Sequence, residues 1–318
     1  MTTHQLKAGP QTLMQGKVDP RMPPALVVES GDTVVFDTRS MWDGASTPGL
    51  DLKAMLALRD RYRAEGRGPH SLTGPIAVRG AKPGDVLRVD IQQLEVSDHG
   101  INVIFPGQQS RGLLAEMFPE PELRHFKLDR RTMTATLGKS VTIPLRPFLG
   151  IVGVLPAVAE PISSSLPGNF GGNIDCPDLV VGASIHLPVQ IDGAGFFAGD
   201  AHAAQGCGEV SQTALETSMT LAQVKLTLVE RPSLKTPRAE TADAYIAMGF
   251  DVDLRVAAQQ AIADMVDLLG ERHDLGRSEA YSLCSLQADL LVTQAVNGIN
   301  GVHARVPKAI FRDGRVGL

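Results

Sequence analysis

Glycine and proline recur at short intervals along most of this chain, so most of its secondary-structure elements must be short. The 318 residues include 32 Gly and 21 Pro. Between them lie short runs in which apolar and polar residues alternate, as in half-buried strands. This pattern favours a β-sandwich or a β-barrel. The predicted strands are residues 25–37 (two strands around a Gly-Asp turn), 75–94 (two strands around a turn at 81–85), 151–156, 184–189, 221–229 and 302–307.

Three segments instead have apolar residues at helical spacing. Residues 50–65 combine an apolar face with a charged face. Residues 251–269 are expected to form a helix that stops at Gly270, and residues 277–294 a second one. The sequence therefore predicts a mainly β fold with α/β elaborations and a C-terminal helical pair.

No repeat of 20–50 residues and no low-complexity linker divides the chain. Hydrophobic residues make up 43% of the sequence, enough for a sizeable core. We therefore expect a single unit over residues 1–318, β-rich over residues 1–235 and mixed α/β over residues 236–318.

Charge and aromatic content disfavour nucleic acid as a partner. The net charge is −5, and aromatic residues make up only 4% of the sequence. A short arginine cluster is interrupted by acidic residues, so we expect it to form a solvated helix face rather than a phosphate-binding surface. The cluster consists of Arg59, Arg61, Arg63 and Arg67.

Neither a membrane nor a secretory pathway is indicated. The N-terminal residues lack the apolar region of a signal peptide. No window approaches the ~20 apolar residues that a membrane-spanning helix needs. The three cysteines form no C-x-x-C motif and are odd in number, so a disulfide framework is not expected. A cytoplasmic location fits best.

The densest group of chemically active side chains lies in residues 169–216. The sequence N-F-G-G-N-I-D supplies Asn173 and Asp175, and G-D-A-H-A-A-Q-G-C-G-E supplies Asp200, His202 and Glu209. Residues i and i+2 of a strand point the same way, so Asp200 and His202 can bind one divalent ion. A glutamate beside such an ion can act as a general base for water.

Each of these residues also has a purely structural interpretation. Asn173 and Asp175 can form a turn by bonding their own backbone. Asp200 can orient a buried His202, and Glu209 can satisfy free N–H groups at a helix start. All five nevertheless fall within 37 positions between two predicted strands, which favours one shared cavity.

Four further residues could belong to that cavity. His70 precedes a predicted strand and, taken alone, is a loop histidine. Cys176 and Cys207 lie inside the two motifs and are expected to pack as small buried residues. Trp42, in W-D-G, could stand at a pocket mouth or in a plain turn.

Longer motifs support a family relationship. They are H-S-L-T-G-P-I-A-V-R-G-A-K-P-G-D-V-L (70–87), I-F-P-G (104–107), L-L-A-E-M-F-P-E-P-E-L (113–123), R-P-F-L-G-I-V-G-V (146–154), G-G-N-I-D (171–175), G-D-A-H-A-A-Q-G-C-G-E-V (199–210) and A-Y-S-L-C-S from Ala280. In collinear order over most of the chain, these motifs resemble the acetamidase/formamidase family.

The resemblance implies the sandwich- or barrel-like fold of that family and a metal-dependent hydrolase of small linear amides such as formamide or acetamide. It also implies a homo-oligomer, which we expect to be a dimer or a trimer. Carried onto this chain, the site consists of His70, Asn173, Asp175, Asp200, His202 and Glu209.

The chain departs from the family pattern at three places. Cys207 stands where the family often has Asp, and Cys176 where it has Thr or another polar residue. The segment Ser40–Thr47 matches only loosely, and Ser40 stands where an Asp is expected. These differences bear on the substrate more than on the reaction type.

The expected mechanism is metal-assisted hydrolysis. We expect Asp175, His202, His70 and Asp200 to bind a divalent ion, Zn²⁺ above all, and a second ion such as Ca²⁺ could use carboxylate and amide oxygens. Glu209 or Asp200 would move the proton of the attacking water, with His70 as a third ligand or an oxyanion partner.

Two residues are expected to contact the substrate, and two other functions remain open. Asn173 and Trp42 are the predicted substrate-binding residues. A cysteine-dependent hydrolase would use Cys207 or Cys176 with His202 as its base. A non-catalytic protein that only binds a small molecule would keep the fold without the chemistry.

Overall fold

The computed structural model describes residues 1–107, 110–229 and 234–311, and most of its regular structure is β. The strands, in chain order, are β1 Thr3–Leu6, β2 Leu13–Gln15, β3 Lys17–Val18, β4 Leu26–Val28, β5 Asp32–Phe36, β6 Ser71–Val78, β7 Val86–Val96, β8 His99–Ile104, β9 Glu122–Lys127, β10 Thr134–Leu137, β11 Val141–Pro144, β12 Phe148–Gly153, β13 Ile162–Ser163, β14 Pro167–Gly168, β15 Gly171–Asn173, β16 Ser184–Pro188, β17 Phe196–Ala204, β18 Leu215–Glu216, β19 Met219–Val229, β20 Arg238–Glu240, β21 Ala244–Asp251, β22 Asp289–Gln294 and β23 Asn300–Pro307. The helices are α1 Met41–Gly44, α2 Leu52–Ala64, α3 Leu254–His273 and α4 Arg277–Gln287.

Two large sheets share one hydrophobic core. The first has the order β1-β5-β19-β7-β16-β20-β21-β23-β22. The second follows β14-β15-β12-β17-β18-β8-β9, with β6 joined to β17 and with β2 and β4 joined to β6. The largest core cluster includes Leu87 and Val224 of the first sheet and Leu72 and Ile151 of the second. The predicted mainly β fold with helical elaborations is confirmed.

Strands that are neighbours in sequence often belong to different sheets. β4 and β5 follow each other through the turn at Gly31, yet β4 pairs with β6 while β5 pairs with β1 and β19. Gly31 adopts a φ of 92°, which redirects the chain at little cost only because it lacks a Cβ. The two predicted strands are therefore present, but they do not form a hairpin with each other.

The tail differs in part from its prediction. α3 runs past Gly270 to His273 and ends where Asp274 takes a left-handed φ of 54°. α4 stops at Gln287, and residues 289–294 form β22 rather than more helix, because they pair with β23. The predicted end of α3 at Gly270 was therefore wrong, and so was the predicted extension of α4 to residue 294.

The two C-terminal helices pack against strands of the first sheet. Met265 and Leu269 of α3 and Cys284 of α4 share a core cluster with Ala304 of β23. Within the described ranges, none of the helices has the length and apolar character that a membrane crossing requires.

Candidate active site

Three adjacent strands of the second sheet, β15, β12 and β17, carry the centre of the candidate site. Ile151 of β12 lies opposite Asn173 of β15, and Phe148 of β12 lies opposite His202 of β17. Nε2 of His202 lies 3.4 Å from Oδ2 of Asp200. The D-x-H pair is thus brought together, although Asp200 has a φ of 55° and not the extended backbone on which the prediction relied.

Asp175 joins this pair from the loop after β15. Its backbone N–H donates a hydrogen bond of 3.0 Å to the carbonyl oxygen of Gly150 in β12. Its Oδ1 lies 3.9 Å from Nδ1 of His202, and both side chains are buried. A backbone contact to β12 therefore positions the Asp175 carboxylate beside the imidazole.

Gly150 keeps a space open between these side chains. A Cβ atom at this position would lie 2.6 Å from Cε1 of His202, 2.7 Å from Oδ1 of Asp175 and 2.8 Å from Oδ2 of Asp200. Oδ1 of Asp175 and Nδ1 of His202 have no hydrogen-bond partner among the described residues, and Nε2 of His202 lies near carboxylate oxygens without a hydrogen bond of normal geometry. A small space bounded by unpaired donor and acceptor atoms is what an ion or a polar ligand requires.

Two glutamates complete the group, and sequence reasoning found only one of them. Glu209, His202 and Glu216 have potential ligand atoms within 4.8 Å of one another. Glu216 lies opposite His202 in the β17–β18 pair, and its Oε2 is 3.2 Å from Nε2 of that histidine. The available signal was one acidic residue within A-L-E-T, but a single acid in a short strand is also common where a strand faces solvent.

Three of the acidic residues have unusual backbone conformations. The φ angle is 47° at Asp175, 55° at Asp200 and 48° at Glu209. A left-handed conformation at a residue other than glycine costs about 1 kcal/mol or more and is concentrated at functional sites. Packing around the site therefore holds all three carboxylates against a local backbone preference.

His70 reaches the site from the residue before β6. Its Nδ1 lies 2.9 Å from Oγ of Ser164, which leaves Nε2 3.8 Å from Oδ2 of Asp200. The structure thus brings His70 to the same carboxylate as His202, although the two histidines are far apart in sequence.

Asn297 is a second residue that the sequence did not identify. Its Nδ2 donates a hydrogen bond of 2.6 Å to Oδ2 of Asp175. Its own backbone N–H donates to Oε1 of Gln294 at 3.1 Å, and its carbonyl accepts from Arg111 at 2.9 Å. The loop between β22 and β23 therefore holds Oδ2 of Asp175 in place.

A cavity of about 100 Å³ opens beside these residues. Asn173, Asp175, Asp200 and Glu209 line it, and the buried Trp42 forms part of its wall. The cluster predicted as a solvated face also contributes: Arg59, Arg63 and Arg67 line the cavity, and Arg59 is only 8% exposed. The prediction was wrong for Arg59, because α2 turns this side chain toward the site, whereas Arg63 is exposed and Arg67 follows the end of the helix.

Removal from water changes the acid–base behaviour of two carboxyl groups. Burial raises the pKa of Asp175 to about 7, although the charge of His202 opposes the shift. Burial also raises the pKa of Glu209 well above its ordinary value, and the nearby Asp175 adds to the effect. Both groups can therefore exchange a proton nearer to neutral pH than an exposed carboxyl group.

Two neighbouring histidines lower the pKa of a third carboxyl group, that of Asp200. Burial alone would raise the pKa of Asp200, but His70 and His202 lower it to about 2. Burial would lower the pKa of His202, but Glu216 and Asp200 raise it well above its ordinary value. Four carboxyl groups and two imidazoles thus share one small region, and a bound cation would stabilise the deprotonated forms of those carboxyl groups.

Neither cysteine of the two motifs is placed as a nucleophile. Cys176 is fully buried, and burial raises the pKa of its thiol. Cys207 is exposed at the surface, and partial removal from water together with Asp178 raises its thiol pKa as well. A nucleophilic cysteine needs the opposite shift.

Comparison with known proteins identifies relatives that are similar in sequence and in fold. The acetamidase of Yersinia enterocolitica is 30% identical, with a TM-score of 0.84 over 97% of this chain and 92% of that one. The acetamidase of Bacillus halodurans is 28% identical, with a TM-score of 0.84 over 96% of this chain and 98% of that one. A formamidase from Methylophilus methylotrophus is 26% identical over 192 residues, which are 45% of this chain and 47% of that protein.

The chain spans between about half and three-fifths of the length of the curated relatives that it matches. The model of the Acetamidase/Formamidase family matches residues 3–167 and 157–313, which together include almost the whole sequence. On this match, the chain belongs to the acetamidase/formamidase family.

Proposed function

We propose that this protein hydrolyses the C–N bond of a small aliphatic amide, such as formamide or acetamide, to ammonia and a carboxylate. The observation that carries the proposal is the space beside Gly150, which is bounded by one histidine and two carboxylates at the cavity. The names formamidase and acetamidase, given to relatives in Methylophilus methylotrophus and Yersinia enterocolitica, support the same reaction.

The residues around this space suit a divalent metal ion. Asp175, Asp200 and His202 would hold it, with His70 as a further ligand, because Zn²⁺ binds carboxylate oxygen and imidazole nitrogen. When bound, Zn²⁺ lowers the pKa of a water ligand toward ~7 and polarises a carbonyl group. A second, oxygen-ligated ion such as Ca²⁺ would use Asp175 and Asn173.

Glu209 is proposed as the residue that moves protons. It is buried but lines the cavity, so it can accept a proton from the attacking water and deliver it to the leaving nitrogen. Asp200 lies within 4 Å of two imidazoles, which suits a ligand better than a base. This division of roles assigns the acid–base step to Glu209.

Asn173, Trp42 and His70 are proposed to position the substrate. Oδ1 of Asn173 has no hydrogen-bond partner in the described part of the chain, and its Nδ2 donates only a long 3.4 Å bond to Ser165. That amide can therefore pair with the substrate amide group. If Nε2 of His70 does not bind the metal, it can instead stabilise a developing oxyanion, while Trp42 limits the size of the acyl group.

Exhaustive removal of metal is expected to lower amide turnover about tenfold or more, and Zn²⁺ should restore it. Ammonia release from a panel of amides, including formamide and acetamide, would measure turnover before chelation, after it and after Zn²⁺ addition. Full activity in a protein that elemental analysis shows to be metal-free would contradict the metal role. No turnover of any amide by metal-replete protein would favour a binding function instead.

Serine at position 207 is expected to leave kcat/KM for the amide within about threefold of the wild type, because this exposed thiol is not activated. Steady-state kinetics of Cys207→Ser would measure this. A loss of about 10²-fold or more in the folded variant would instead support a cysteine-dependent hydrolase that uses this thiol.

Assembly and location remain proposals. We propose a homo-oligomer, a dimer or a trimer, in the cytoplasm, with the amide as the small-molecule partner. Light scattering of the purified protein and fractionation of cells would test the first two, and the ammonia assay tests the third.

A further inference from the structure

A second group of metal-binding residue types lies beside the candidate active site. Sγ of Cys176, a carboxylate oxygen of Asp178 and a ring nitrogen of His303 lie within 4.8 Å of one another. Cys176 and His303 are fully buried, whereas the Asp178 side chain is 20% exposed. This group shares no residue with the one around Gly150.

One ring nitrogen of His303 is within hydrogen-bond distance of a neighbour, and the other is available to a ligand. Its Nδ1 lies 2.7 Å from Oγ1 of Thr293, within hydrogen-bond distance. Its Nε2 points into the group, 3.3 Å from Oδ2 of Asp178, and has no hydrogen bond of normal geometry within the described ranges. Metal-binding histidines are commonly held in this way, with the second nitrogen bonded to a neighbouring group.

The combination of donors narrows the class of ion. A thiolate together with an imidazole and a carboxylate suits Zn²⁺, whereas Ca²⁺ and Mg²⁺ prefer oxygen ligands only. Arg146 lies 3.8 Å from Oδ1 of Asp178, so the two oxygens have different neighbours and Oδ2 remains directed at His303. The guanidinium therefore does not occupy the space between the three donors.

We propose that Cys176, Asp178 and His303 form a structural Zn²⁺ site. The ion would join the loop after β15 to β23, two parts of the chain that are distant in sequence. Because Cys176 directly follows Asp175, the same ion would also restrict the loop that carries a residue of the candidate active site. The proposal does not depend on amide hydrolysis.

Cobalt provides a direct test, because Co²⁺ bound to a thiolate absorbs in the near ultraviolet through charge transfer from sulfur. The wild-type protein, reduced and loaded anaerobically with Co²⁺, should show this band at one equivalent of sulfur-bound ion per chain. Cys176→Ser and His303→Gln should each bind Co²⁺ at this site about tenfold or more weakly and lose most of the band. Cys207→Ser, which changes a nearby exposed thiol, should keep it.

Circular dichroism would first show that each variant is folded. A folded wild-type protein without the band would overturn the proposal, and so would a band that survives in Cys176→Ser. Loss of the band in Cys207→Ser would assign the sulfur to the exposed thiol and would also overturn it. Each of these three results would leave Asp178 and His303 as an ion pair beside the buried thiol of Cys176, without a metal ion.

Discussion

Glutamine at position 209 is expected to lower kcat for amide hydrolysis by about 10²–10⁴-fold, the usual contribution of a general acid–base group. The amide of glutamine has nearly the same shape as the carboxylate but cannot accept the proton of water. Since Glu209 is assigned no metal-binding role, the variant should retain its metal and its KM should change little. Steady-state kinetics and elemental analysis of Glu209→Gln would measure both quantities.

Two further variants separate the role of Glu209 from a general effect of charge. Glu279→Gln, at an exposed position of α4, should behave like the wild type. Asp200→Asn should lose metal together with activity, because Asp200 is proposed as a ligand. If Glu209→Gln also loses its metal, Glu209 is a ligand and the proposed proton transfer by this residue is incorrect.

Alanine at position 150 is expected to lower kcat/KM by about 10²-fold or more, although it adds a single methyl group. That methyl carbon would lie closer than 3.0 Å to His202, Asp175 and Asp200, which would have to move apart. A displacement of about 1 Å at a reacting group is sufficient for a loss of this size. The same movement should weaken metal binding, which titration with Zn²⁺ would detect.

The matched control is a glycine with space around it. An added Cβ at Gly49 meets none of the described atoms within 4 Å, so Gly49→Ala should keep wild-type kinetics. Thermal unfolding would confirm that Gly150→Ala remains folded. A folded Gly150→Ala protein with normal activity would show that the space beside Gly150 has no catalytic role.

The sequence predicted individual elements better than their partners. Alternation of apolar residues was sufficient to locate β5, β7, β16 and β19, and helical spacing located α2. Pairing could not be predicted because β4 and β5, joined by one turn, enter different sheets. In the tail, β22 was predicted as helix because its short apolar run fits either structure until β23 lies beside it.

The same limit applies to the site. Four of the five residues of the central segment, and His70, line one cavity, and the fifth, His202, lies beside Asp200 without lining it. Glu216 was missed because a single acid in a strand usually faces solvent. Asn297 was missed because its role depends on a hydrogen bond to Asp175, which is distant in sequence. Arg59 was misassigned because the pattern of a helix does not show which neighbouring element covers a given side chain.

The hydrogen bond from Asn297 to Asp175 also has a consequence for synthesis of the protein. Ribosomes extend a chain from its N-terminus, so Asp175 leaves the exit tunnel well before Asn297. The central strands can begin to pack during that interval, but Oδ2 of Asp175 still lacks the hydrogen bond from Asn297. A nascent chain arrested before residue 297 would thus carry most of the candidate site residues without the contact that holds the Asp175 carboxylate, so the candidate site would be completed late in translation.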